Sequence, residues 1–330
     1  MNGQSNEAKI AVIIPYFQRK SGLLKKAVTS ILNQADVDKI QIFVVDDCSP
    51  IPAVDELSSL LTETDRITII EQDNAGPGAA RNNGLDNMPE SIEYVAFIDS
   101  DDWWDENFLQ HALSAMEQGC ELFFANSKRF AFDETRFDWY AEKNLNLVAK
   151  EHQILDPSKE LYQFKGCFFD YSLVRSNIIS TSALVYRLAA YPTLRFNTKL
   201  FNGQDRLFKM MLAQHVEHVA FCPKVLVFEE EGINIFDSAK WGTTQSLIKL
   251  VSYIKLTKCI LAELELKDEQ KKIIVKQLND SRFSFTASLL HLIKQKVKID
   301  FQVLKSGLKA DPWLIIYFLP NLYKIIFKSK

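Results

Sequence analysis

Residues 94–104 read Tyr94-Val95-Ala96-Phe97-Ile98-Asp99-Ser100-Asp101-Asp102-Trp103-Trp104. The first half is an apolar run containing Val and Ile, the pattern of a buried strand. The second half places Asp99, Asp101 and Asp102 at that strand's C-terminal end, the edge of an open α/β sheet where ligands bind. Three acids so close repel one another unless positive charge sits among them. A hard divalent cation with oxygen ligands, Mg²⁺ or Mn²⁺, is the natural neutraliser, and it commonly also holds substrate phosphates. The other reading of the same residues is a solvated acidic turn that caps the next helix.

Working outward, Ile10–Pro15 (IAVIIP) is a buried strand that stops at a proline turn. Leu23, Leu24, Ala27, Val28, Ile31 and Leu32 recur at helical spacing. Residues 41–45 (QIFVV) give a second strand, with Asp46-Asp47-Cys48-Ser49-Pro50 at its end. A helix through 53–61 leads to a third strand, 67–71. Residues 73–84 (DNAGPGAARNNG) are a Gly/Pro turn opening into a helix. Strands alternating with helices imply a parallel sheet with right-handed crossovers.

Beyond this sheet the spacing predicts a helix over 105–118 and strands near 121–125, 182–186 and 224–228. Residues 133–170 are aromatic and without clear period. They read as an insertion that covers the sheet or contacts an acceptor. A turn at 202–205 precedes a short helix. From Trp241 the pattern is helical, over 247–266, 269–278 and 283–293, so the expected division is 1–240 and 241–330.

The sequence has 330 residues, 47% hydrophobic and 25% charged, with a net charge of −3. That charge is uneven: residues 240–330 hold 17 Lys+Arg against 7 Asp+Glu, and residues 1–239 hold 22 against 35. An acidic body that takes an anionic phosphate needs a metal, and no nucleic-acid partner is expected. A basic tail suits an anionic surface, or is simply the solvated side of helices. Five scattered cysteines without metal-ligand spacing read as reduced thiols of a cytoplasmic protein. The polar start, Met1 to Lys9, has no secretory pattern, and no apolar run is long enough to span a bilayer.

Three clusters follow strands that should be neighbours: Asp46/Asp47, Asn74 to Arg81, and Asp99 to Asp102. An Asp facing a base accepts its imide N–H, which suits uracil. The Gly76/Gly78 turn lets backbone N–H groups approach an anion at a helix start. Arg81 can fork onto a phosphate or pair with an acid. Singly, each has an ordinary reading as cap, turn or structural ion pair; their convergence favours a site. The glycines form neither a Walker loop nor a dinucleotide fingerprint after the first strand. Trp103 and Trp104 read as core, with Trp104 as a sugar lid the alternative. His215 and His218 flank a helix end.

In this order and spacing, IAVIIPYFQR, FVVDDCSP, NAGPGAARNNG and YVAFIDSDDWW resemble a family 2 glycosyltransferase with a GT-A (Rossmann-like) fold, a mostly parallel sheet flanked by helices. The later NGQDRLF and EEEGINIF, with Trp241-Gly242, are similar to bacterial exopolysaccharide enzymes of the succinoglycan type. The resemblance implies that Pro15 and Tyr16 shape the nucleotide pocket, with Asn74 and Gly76 beside it. It implies that Asp46 or Asp47 holds uracil and that Arg81 sits near base and diphosphate. Asp99-Ser100-Asp101 matches the D-x-D motif, with Asp99 and Asp101 as metal residues. Asp205 stands where the family has its general base, in a pair whose Glu is here Gln204.

The function so implied is inverting transfer of a sugar from a nucleotide-sugar, UDP-sugar foremost, to a saccharide acceptor in surface-polysaccharide synthesis. A lipid-linked acceptor would place the protein at the inner face of the cytoplasmic membrane. The tail 311–330 (DPWLIIYFLPNLYKIIFKSK) reads as a segment lying in the interface, or as a helix packed on the body or in a homodimer contact. Two other functions were weighed. One is a non-catalytic sugar-nucleotide-binding or scaffolding protein, kept alive by Gln204. The other, a nucleotidyltransferase, lacks the basic Gly-rich loop it needs after the first strand.

Overall fold

The computed structural model describes residues 9–35, 39–130, 132–139, 141–143, 145–230 and 241–327. Much of the predicted EEEGINIF stretch, from residue 231 on, thus lies outside the described residues. The chain divides into two units: Met1–Thr198 with Phe208–Gly232, and Lys199–Leu207 with Ile233–Lys330. The division differs from the expected one at 240, because residues 199–207 group with the C-terminal helices.

In chain order the first part runs β1 (Ile10–Tyr16), α1 (Leu23–Leu32), β2 (Ile40–Asp46), α2 (Ala53–Glu56), α3 (Ser58–Leu61), β3 (Ile67–Glu71), α4 (Pro77–Asp86), β4 (Tyr94–Phe97), β5 (Asp102–Trp104) and α5 (Phe108–Glu117). It continues through β6 (Leu122–Arg129), β7 (Gln153–Asp156), β8 (Leu161–Gln163), α6 (Phe168–Arg175), β9 (Leu184–Arg187), α7 (Gln204–Ala213) and β10 (Val219–Glu229). The helices α8 (Thr244–Glu263), α9 (Asp268–Lys294), α10 (Phe301–Ala310) and α11 (Trp313–Phe327) follow.

The sheet order is β3-β2-β1-β4-β9-β6-β10-β8-β7, with β5 also paired to β10. Strands β3, β2, β1 and β4 are parallel, as their apolar runs predict. Beyond them the sheet is mixed: β9 runs antiparallel to both β4 and β6, while β6 and β10 are parallel. The sheet is thus mostly parallel, as the resemblance implies, and turns antiparallel where β9 arrives through a long irregular connection rather than a βαβ crossover. The 133–170 stretch builds short β7 and β8, which extend the sheet beyond β10.

Every residue of β1 is buried, as a strand covered on both faces must be. On one face α1 lays down Leu24, Ala27, Val28 and Ile31, at the spacing that keeps one side of a helix on the core. Gly22 starts α1 at φ 89°, and its N–H donates to the Glu56 carboxylate at 2.7 Å. Helix α4 packs unusually close to β1. A Cβ placed on Gly84 would lie 2.5 Å from Ile13 Cγ2, so only glycine fits that contact.

Several boundaries differ from the sequence reading. The predicted helix over 53–61 is two single-turn pieces joined at Leu57. The strand expected at 224–228 extends over Val219–Glu229. The helices expected at 269–278 and 283–293 are one helix, α9, because nothing between them is Gly or Pro.

In the second unit, Leu247, Val251, Ile254, Leu278, Phe285 and Leu292 form a core between α8 and α9. Arg282 of α9 forks onto the fully buried Asp311 at 2.7 and 3.1 Å, and Lys258 adds a longer contact at 3.4 Å. Pro320 lies inside α11, which continues through it. No described helix is long and apolar enough to cross a membrane.

Candidate active site

In this sheet β2 and β3 lie on one side of β1 and β4 on the other, so the strand order reverses between β1 and β4. The crevice outside the C-terminal ends of strands at such a reversal is where open α/β sheets take ligands. The register aligns Tyr16 with Asp46, Asp46 with Glu71, and Ile13 with Phe97. The loops after β1, β2, β3 and β4 therefore open on one edge, and they carry all three clusters singled out in the sequence.

Pro15 and Tyr16 end β1, and Tyr16 is buried. Burial pushes its phenol up to about 12, so it stays protonated at neutral pH. Asp46 accepts from the Ser49 and Ala53 backbone N–H groups, each at 2.7 Å. The bend this ties holds Cys48 in a left-handed conformation at φ 56°. Asp47 accepts from Gln72 Nε2 and the Ala75 N–H at 2.7 Å and from the Gly76 N–H at 2.8 Å. Asn74 Nδ2 donates to the Asp47 carbonyl at 2.9 Å. Both acids of the β2 end thus hold loop backbone, and Asp47 clamps the turn that opens α4. At that turn Gly76 has φ 86°, and Pro77 begins the helix.

One turn into α4, the buried Arg81 pairs with Asp99. Its guanidinium also lies over the Phe196 ring, 5.2 Å from the centroid. The carboxylate of Asp99 is 43% exposed, so the pair is open to solvent on the acid side. Ser100 is buried and its Oγ accepts from Gln18 Nε2 at 3.1 Å, which ties the β1 loop to the β4 loop across the strand reversal.

Ser182, just before β9, braces the same loop three ways. Its Oγ accepts from the Asp99 N–H at 3.0 Å and donates to Asp102 Oδ2, and its carbonyl accepts from Trp104 Nε1 at 2.7 Å. Trp104 is accordingly core, its ring tilted at 36° against Phe108 with centroids 4.5 Å apart. Trp103 packs on Phe228, with Lys26 Nζ 3.6 Å above its ring.

The electrostatics are lopsided. Strand β10 brings Glu229 opposite Asp102. Glu229 is held by Arg136 and Ser127, and Glu230 pairs with Lys26 at 2.9 Å. Burial would raise Glu229, but the Arg136 charge and hydrogen bonds override it and hold it below the usual range. Asp101 moves the other way: burial first, then the Asp99 charge and the two glutamates, push it up to about 7. Asp102, deeper still, is also raised, by burial and then by the Glu229, Asp99 and Asp101 charges. Positive partners thus sit on the rim of the cluster while Asp101 stays surrounded by negative charge.

That imbalance suits a divalent cation. Asp99 and Asp101 would offer it two oxygen ligands, the number of carboxylates Mg²⁺ commonly uses when substrate phosphates complete its shell. Among the described residues there is no group of three or more His, Cys, Asp or Glu side chains that could hold a metal ion by themselves.

Asp205 lies half-buried in the first turn of α7, next to the buried Gln204. The histidines have structural surroundings: His215 stacks on Tyr191 at 3.9 Å, and His218 meets Gln163 at 3.2 Å. The sequence reading missed Gln18, Gln72, Arg136 and Ser182. Their partners lie far along the chain, so no local pattern marked them.

Residues 11–181 match the family described as glycosyl transferase family 2, more than half of the chain. The protein belongs to that family. Among family relatives it is similar to the succinoglycan biosynthesis protein ExoW of Rhizobium meliloti (strain 1021), 28% identical over 93% of this chain and 96% of that one. It is also similar to the GalNAc(5)-diNAcBac-PP-undecaprenol beta-1,3-glucosyltransferase of Campylobacter jejuni subsp. jejuni serotype O:2, 25% identical over 95% and 94% of the two chains. The fold matches S. aureus TarS 1–349 solved with UDP-GlcNAc, with a TM-score of 0.63 at 18% identity over 97% of this chain and 91% of that one. This glycosyltransferase thus has the expected GT-A architecture, and inversion and metal dependence are typical of its family.

Proposed function

We propose that this glycosyltransferase moves a sugar from a UDP-sugar to a hydroxyl of a lipid-linked saccharide, in assembly of a surface polysaccharide. The observation that carries this reading is the braced Asp99-Ser100-Asp101 loop, with its half-buried Asp101 among negative neighbours. The UDP-GlcNAc complex of TarS and the undecaprenol-linked acceptor of the Campylobacter glucosyltransferase support the choice of donor and acceptor.

In this reading Pro15, Tyr16, Asp46, Asp47, Asn74 and Gly76 shape the nucleotide pocket, and their hydrogen bonds fix its backbone before substrate arrives. Asp99 and Asp101 would hold Mn²⁺ or Mg²⁺, which when bound would supply positive charge for a diphosphate leaving group. Arg81 keeps Asp99 in place and adds a second cation beside the leaving group. Asp205 takes the proton as the acceptor oxygen forms its bond to the anomeric carbon. The bond from that carbon to the diphosphate oxygen breaks, and UDP leaves with the electron pair. One displacement of this kind inverts the anomeric centre.

Residues 1–240 carry the donor chemistry, and the helices of 241–330 bring the protein to its acceptor. Segment 311–330 lies against the inner face of the cytoplasmic membrane, where lipid-linked saccharides are reached. Purified full-length protein, incubated with Mn²⁺ and a panel of UDP- and GDP-sugars, should release nucleoside diphosphate from one UDP-sugar. Asp205→Asn should keep donor affinity and lose turnover by about 10²–10⁴-fold. An active Asp205→Asn enzyme removes that residue from the role of base. Absence of turnover with every donor, despite UDP binding, favours the scaffolding alternative.

A further inference from the structure

Helices α10 and α11 both turn their inner sides to α8 and α9. A Cβ at Gly307 of α10 would lie 3.3 Å from Val251 and 3.4 Å from Phe285. In α11 the buried residues are Leu314 and Asn321, and Asn321 reaches Thr286 of α9 at 3.4 Å. Their outer sides are therefore set by what this unit leaves uncovered.

On α11 that side is apolar without interruption. Ile315, Ile316, Leu319, Tyr323, Ile326 and Phe327 are all exposed, Leu319 by 68% and Phe327 by 65%. At 100° per residue these positions, with Trp313, cover a continuous arc of roughly 160°. An arc of that width on one exposed helix exceeds the scattered apolar residues of an ordinary surface.

On α10 the outer side is mixed in a regular way. Phe301, 74% exposed, and Leu308 lie on one stripe, and Lys305 and Lys309 lie on the stripe beside it. Those lysines join Lys255 of α8 around an open groove of about 470 Å³, completed by Gln302, Ser306 and Ala310. Charge decides what fits. From 301 to 330 the sequence carries Lys305, Lys309, Lys324, Lys328 and Lys330 against one acid, Asp311. That acid is fully buried beneath Arg282, so the charge that residues 301–327 present to the outside is lysine alone.

We propose that the outer faces of α10 and α11 lie in the interface of an anionic phospholipid membrane, and that the Lys255/Lys305/Lys309 groove receives a lipid phosphate. The inference rests on the membrane reading above and extends it to a headgroup site and a second helix. Apolar residues of α11 enter among the acyl chains, Trp313 and Tyr323 settle at the headgroup level, and the lysines stay at the phosphates. At 15 residues α11 is about 22 Å long, which suits lying in the surface rather than crossing it.

Flotation of the full-length protein with phosphatidylcholine vesicles, with and without phosphatidylglycerol, tests this. Wild type should float with the anionic vesicles and much less with the neutral ones. The Lys255→Gln/Lys305→Gln/Lys309→Gln protein should bind anionic vesicles about 100-fold more weakly, from roughly 1 kcal/mol per lysine. Leu319→Glu should abolish flotation on both, and each variant should still release UDP from a soluble donor, which reports that it is folded. An unchanged preference for phosphatidylglycerol in the triple variant overturns the headgroup site and leaves the membrane reading standing. No flotation of wild type on either vesicle overturns both. A wild-type dimer in sedimentation that Leu319→Glu converts to monomer assigns the face to a second copy and also overturns the proposal.

Discussion

Each unit of this glycosyltransferase contains a buried arginine on an aspartate, and the two pairs are built for different ends. Arg282 meets an Asp311 that is 0% exposed, whereas Arg81 meets an Asp99 that is 43% exposed. The first pair is sealed, with both carboxylate oxygens bonded and Lys258 adding charge. It joins α9 to the start of α11 and leaves no room for anything else. The second pair bonds one oxygen to Arg81 and leaves the acid facing solvent, with the crowded Asp101 two residues on. A sealed pair serves stability; an open pair at a sheet edge holds a carboxylate in position for a ligand.

The largest effect expected from this contrast is on folding. Arg282→Ala strands a buried charge and should lower unfolding free energy by about 3–5 kcal/mol, read by denaturant titration. Turnover per folded molecule should stay near wild type. Next comes Arg81→Ala. Water can replace the guanidinium at Asp99, so stability should fall by only about 1 kcal/mol. Turnover should drop by about 10²-fold, because the acid and the leaving group lose their positioned cation. Equal stability losses in the two variants would break the distinction between sealed and open pairs.

Gly84→Ala should destabilise by about 1–3 kcal/mol through overpacking against Ile13. Its nucleotide affinity should also fall, because α4 carries Arg81 one turn earlier. The smallest effect concerns pH. Burial alone would raise Asp311, but the Arg282 hydrogen bonds and charge, with Lys258, outweigh it and hold the carboxyl below its ordinary 3.8. A lowered folded-state value means the pair stabilises above the unfolded value and that this contribution fades as pH falls through the folded one. The gap in melting temperature between wild type and Asp311→Asn should therefore be wide at pH 6 and narrow below 3.8. A constant gap would show that the charge of Asp311 is irrelevant to its role.

How much of this was legible in the chain differs along the same lines. Strands β1 to β4 announced themselves as apolar runs, and their acids and glycines fell directly after them, so local pattern was enough. The far half of the sheet was not, because β9 and β10 depend on pairing with strands distant in the chain. The three-way brace at Ser182 shows why: nothing in Ser180-Thr181-Ser182 marks it, and its meaning comes only from the β4 loop it meets. Helix α10 was missed because it is short and only Val303 and Gly307 face inward. The long α9 was divided because its apolar spacing weakens around Asp280 and Ser281. The aromatic and lysine chemistry of the tail was legible, but the continuous outer arc needed the helix to run through Pro320.

The proposed metal and diphosphate site depends above all on Asp101. Calorimetric titration of UDP into the full-length protein with Mn²⁺, beside Asp101→Asn under the same conditions, tests it most directly. The account predicts metal-dependent UDP binding in wild type and at least about a tenfold loss of affinity in the variant, roughly 1.4 kcal/mol. Equal affinities with and without the Asp101 carboxylate would contradict it.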